Sequence, residues 1–153
     1  MKLAEALNGR KDLETRISQI RKLLGNTVKV QEGDSPTEDP EVLMSELECC
    51  LVKLERYIYD INVTNMQIVD EEGKTMTKLL AERDALKKHI DVLRHTFDQA
   101  TEAPSRYSRN EIKYVITIDA KSLREKLDQL SQQYRQLDMK IQMLNFSCDL
   151  VEQ

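Results

Sequence analysis

The chain has 153 residues, 40% hydrophobic and 33% charged, with four glycines, three prolines and no tryptophan. So few chain breakers and so few aromatics exclude a β-sandwich and a disordered tail, and leave a helix-rich single domain spanning residues 1–153. The net charge of −4 argues against general affinity for nucleic acid or anionic lipid.

The first helix is expected over about residues 3–24. Leu3, Ala6, Arg10, Leu13, Ile17, Ile20 and Leu24 fall at alternating three- and four-residue steps. That spacing is a heptad seam with one polar interruption, and Gly25-Asn26 offers a C-terminal stop. The same stretch lacks the apolar core of a signal peptide, and no apolar run reaches the ~18 residues a bilayer span needs. Together with the odd cysteine set Cys49, Cys50 and Cys148, this sets an expectation of a cytoplasmic protein.

Residues 26–39 read as a loop. Val28–Gln31 alternates like a short strand, and Gly33 and Pro36 carry turn chemistry. The GDSP run at Gly33–Pro36 resembles a hydrolase motif only superficially and reads as a turn. The loop is acidic where the first helix is basic, a pairing that two copies of the chain could exploit.

The second helix is expected over about 41–64. Asp39 is the predicted N-cap, Pro40 suits the first helical position and Glu41 suits the positive end of the dipole. Leu43, Leu47, Cys50, Leu54, Tyr57 and Ile61 form its seam. Cys49, Val52 and Tyr59 add apolar material on a further face, so this helix is expected to be buried on several sides. A polar turn at Asp70–Lys74 leads to a third helix over about 76–100, with Leu79, Leu86, Ile90, Leu93, Phe97 and Ala100 along its seam and Arg83 interrupting it. The connection at 66–74 is too short to cross a helix length, which predicts antiparallel second and third helices.

Ile112–Ile118 is the strongest strand candidate. The fourth helix follows over about 120–145, capped by Asp119, with Leu123, Leu127, Leu130, Tyr134, Leu137, Ile141 and Leu144 as an unbroken seam. The predicted fold is therefore mainly α: four long amphipathic helices in an antiparallel, coiled-coil-like bundle. A short two-stranded β-ribbon of segments 28–31 and 112–118 is expected to cap one end.

Catalytic chemistry is hard to find. His89 and His95 lie six residues apart, about 120° around a helix, and the Glu-x-x-His motif of di-iron bundles is missing. Adjacent Cys49 and Cys50 lack metal or redox spacing. No cofactor, metal or catalytic residue is expected, and the chain leans away from being an enzyme. Asn62 and Asn65 at the end of the second helix, with Arg109, Glu111 and Lys113 on one face of the second strand candidate, are the candidate ligand-binding residues. Arg10 and Arg83 are expected to meet carboxylates.

The segments MKLAEALN, VQEGD, INVTN, LLAERDAL, RNEIKYV and LNFSCDL together resemble a small bacterial family of helical proteins of unknown function. Some of its members carry the label septicolysin. Val63 and Phe146 stand where the family pattern has a basic residue and a tryptophan. The label implies a membrane-active cytolysin, yet a short, helical, tryptophan-free chain is physically unlike the large β-rich cytolysins. The favoured expectation is a structural or interaction protein: a helical homo-oligomer, with the second helix available to a protein partner. The alternative is a ligand-binding protein or enzyme with a polar site at the ribbon end.

Overall fold

The computed structural model describes residues 1–102 and 114–152. Four helices make up the described chain: α1 (Leu3–Thr27), α2 (Pro40–Gln67), α3 (Met76–Thr101) and α4 (Ala120–Ser147). The chain divides into two compact units, Met1–Thr75 with Leu144–Gln153, and Met76–Met143.

In the first unit α1 and α2 form an antiparallel hairpin. Ile20, Leu43 and Cys50 are buried together at its loop end, with Leu13, Ile17, Leu23, Leu24 and Leu47 packed around them. All but Leu23 are predicted seam positions of the two helices, so heptad spacing located most of this core. Arg16 and Glu46 bridge the two helices by a forked pair, Nε to Oε1 at 2.6 Å and Nη2 to Oε2 at 2.8 Å. Further along, Gly9 leaves room for Tyr57: a Cβ on Gly9 would lie 2.9 Å from the tyrosine oxygen. A mid-helix glycine costs about 1 kcal/mol against alanine, and here it admits a ring against the helix backbone.

The caps explain where helices begin. Asp39 Oδ1 accepts from the Glu41 amide at 2.9 Å, with Pro40 opening the helix. Asp119 Oδ1 accepts from the amides of Lys121 and Ser122, at 3.0 and 3.2 Å. Both caps were predicted. The end of α1 was not, because the helix runs through Gly25 to Thr27, whose hydroxyl donates to the Leu23 carbonyl at 2.9 Å. The turn proper comes later, where the Asp34 amide donates to Gln31 O and Gly33 takes a φ of 93°. Asp70 organises the 70–74 turn, accepting from the amides of Glu72 and Lys74 at 3.0 and 2.8 Å.

The second unit pairs α3 with α4. Arg83, near the start of α3, donates to Asp138, near the end of α4, at 3.1 Å, which sets the two antiparallel. Leu79, Ile90, Leu127 and Ile141 are buried along their seams. The seam arginines both meet carboxylates as expected, Arg10 pairing with Glu14 at 2.9 Å.

The predicted β-ribbon is not formed. Among the described residues neither 28–31 nor 114–118 is strand, and the only bridges are Lys2 with Asp149 and Val69 with Thr75. Residues 112–113 lie outside the described residues. Val28 keeps a helical backbone as the C-cap of α1, and Tyr114 is 90% exposed, so these apolar side chains have no surface to pack on. Two strands without such packing gain too little to hold together.

Candidate functional site

Three segments distant in sequence meet where α1 begins and α2 ends. Lys2 is a poor N-cap residue, and its side chain caps nothing there. Instead the tail after α4 supplies the missing partners. The Leu3 amide donates to the Cys148 carbonyl at 3.0 Å, and the Leu150 amide donates to Met1 O at 2.9 Å. Lys2 Nζ donates to the Ser147 carbonyl and pairs with Asp149, both at 2.9 Å. The Lys2 ammonium holds the Asp149 carboxyl below the usual carboxylate range. Glu5 completes the arrangement by accepting from the Lys2 amide at 2.7 Å.

The tail also reaches α2. Thr64 is wholly buried; its hydroxyl donates to the Asp60 carbonyl at 2.6 Å and accepts from the Val151 amide at 2.9 Å. One turn earlier lies Asp60, only 2% exposed. Its Oδ2 faces Arg56 Nε at 3.6 Å, while Oδ1 has no hydrogen-bond partner. A buried carboxylate is costly unless paired. The Arg56 guanidinium, on a largely exposed side chain, is the charge that partly offsets this burial.

The predicted site residues fall unevenly on this geometry. Asn62 is exposed and Asn65 half-buried, both on the last turns of α2. Arg109, Glu111 and Lys113 lie outside the described residues. Segment 28–31 is at the opposite end of the hairpin from Asn62, since about 22 helical residues at ~1.5 Å each separate Pro40 from Asn62. Asp60 escaped sequence reading because one aspartate among helical apolar residues looks like any surface acid. Its only signal was Arg56 four residues before it. Thr64 and Asp149 sit near helix ends, and local spacing carries no sign that the tail joins them to one place. Among the described residues no group of three or more His, Cys, Asp or Glu side chains is placed to hold a metal ion.

A second feature lies on the outside of α2. Cys49, Val52, Arg56, Tyr59, Val63 and Met66 recur at three- and four-residue steps, a heptad separate from the one facing α1. Val52, Tyr59 and Met66 are 68%, 55% and 60% exposed, Cys49 is exposed and Val63 half-buried. The expectation that α2 is buried on several sides holds for its last turns, where Asp60, Ile61 and Thr64 are covered, and fails along this outer stripe. No helix among the described residues is long and apolar enough to cross a membrane.

A family model described as a family of unknown function, DUF6847, matches residues 10–150. The chain belongs to this family. The chain is similar to a functionally unknown conserved protein from Corynebacterium diphtheriae whose crystal structure is known. It is 42% identical, with a TM-score of 0.94 over 99% of each chain. No curated protein matches the sequence. The resemblance to a bacterial family of unknown function thus stands, and its septicolysin label gains no support from these relatives. The DUF6847 match spans α2 and the tail as far as Leu150, which places the buried Asp60–Thr64 turn and the outer stripe inside the family region.

Proposed function

We propose that this DUF6847 member is an interaction protein that forms a helical homo-oligomer through the outer stripe of α2. The observation that carries the reading is the stripe itself. An apolar heptad already used once, facing α1, is repeated on the opposite side of the same helix and left open to solvent. Singly exposed apolar residues are ordinary, but a continuous stripe at coiled-coil spacing is the pattern of a helix that receives another helix. The test is multi-angle light scattering across concentration, on the wild type and on Val52→Asp/Tyr59→Asp. The wild type is expected to exceed the monomer mass, and the double variant to run as a monomer with unchanged helical circular dichroism. A wild type that stays monomeric at several hundred micromolar overturns the reading.

A second reading, ligand binding at a polar end of the helices, is favoured by one observation: the buried Asp60 Oδ1 that accepts no hydrogen bond. It rests on the last turns of α2, with Asn65 nearby in the sequence.

A further inference from the structure

Resting on the self-association just proposed, we infer that the α2 stripe pairs with its own copy in antiparallel register, making a closed two-fold dimer. The order of residues along the stripe carries the inference. Laid antiparallel about the middle of the Tyr57–Ile58 bond, the stripe is complementary to itself. Cys49 falls opposite Met66 of the partner subunit, Val52 opposite Val63 of the partner subunit, and Arg56 opposite Tyr59 of the partner subunit. The remaining three layers repeat these by symmetry. Every layer is then either apolar on both sides or a guanidinium against a tyrosine ring, which attract one another.

Charge decides against the parallel alternative. Parallel in-register helices would set Arg56 against Arg56 of the partner subunit within the stripe. Antiparallel pairing removes that clash: it sets each Arg56 against Tyr59 of the partner subunit and Glu55 beside the partner's Asn62, so no like charges face within the stripe. The structure also holds Arg56 ready for this role. The buried Asp60 carboxylate lies 3.6 Å from its Nε, while the Arg56 side chain as a whole stays 65% exposed. The nearby acid biases the Arg56 side chain while leaving it accessible to the ring of the partner's Tyr59. Because the contact is isologous, it closes at two copies and does not propagate into a filament.

Cysteine cross-linking reads the register directly. In the antiparallel pair the two Cys49 residues sit about 26 Å apart along the axis, at ~1.5 Å per residue, so mild oxidation of the wild type is expected to leave them unlinked. Val52→Cys/Val63→Cys, with Cys49 and Cys148 changed to serine, is expected to form a covalent dimer, and Val52→Cys alone is not. Arg56→Glu is expected to raise the dimer dissociation constant by on the order of tenfold, since two cation–ring contacts are lost. A dimer in which wild-type Cys49 links to itself is parallel; that result overturns the register and leaves the self-association standing. A dimer that neither cysteine set links, with circular dichroism showing intact helices, also overturns the register. A strictly monomeric wild type removes both proposals together.

Discussion

Thr64 shows how much a single side chain can hold in a small helical protein. Its hydroxyl joins the backbone of α2 to the backbone of the C-terminal tail, donating to Asp60 O and accepting from Val151 N. Thr64→Val keeps the shape and removes both bonds, stranding the Val151 amide. The expected cost is about 1–3 kcal/mol, read as a lower urea midpoint at unchanged slope, with Thr64→Ser retaining most of the stability. Asp60 is the other residue whose role was hidden. Its neighbour Arg56 was plain in the sequence, but the burial of one and the exposure of the other depend on which face of α2 the tail covers. Local spacing carries no record of that.

At the scale of the helices, the seams and caps were legible because they depend on neighbours within a few residues. Leu43, Cys50 and Ile61 are buried where a heptad puts them, and Asp39 and Asp119 cap where their side chains can reach the next amides. The ribbon expected of 28–31 and 112–118 was a different kind of inference. It asked two remote segments to find each other on β-propensity alone, and the described residues of both stay in irregular backbone. The bridge between remote segments that does form among the described residues, Lys2 with Asp149, lies in segments with no strand signature.

The capping and bridging acids also set a pH response. Hydrogen bonds from Arg16 to Glu46, from Ser122 to Asp119 and from Lys2 to Asp149 hold all three carboxyls below their ordinary values. A carboxyl that is more acidic in the folded chain binds a proton more readily when unfolded. Its stabilisation is therefore complete above about pH 4–5, the unfolded range, and is lost as pH falls through the lowered folded values. Urea midpoints are expected to hold between pH 7 and 5 and to drop below about pH 4. Replacing the three acids by Gln, Asn and Asn should flatten that acid limb.

For the molecule as a whole, the segments that carry the family resemblance acquire a spatial meaning. MKLAEALN, INVTN and LNFSCDL lie far apart in the chain, yet they supply Lys2, Thr64 and Asp149, the residues that tie α1, α2 and the tail together. VQEGD is different in kind, since it forms the Gly33 turn at the far end of the hairpin. What could not be read from the sequence was that three of these motifs form one place. Helix periodicity reports which face is buried but not which remote segment buries it.

The hydrogen bond from the Leu150 amide to the Met1 carbonyl joins two segments separated by α1 to α4, so it forms only after those helices have placed both partners. Its survival is therefore a gauge of whether the tail is seated on α1. Native-state hydrogen exchange is expected to show the Leu150 amide protected, and to lose that protection in Thr64→Val, where the tail's hold on α2 is gone, while the mid-helix amides of α1 and α2 stay slow.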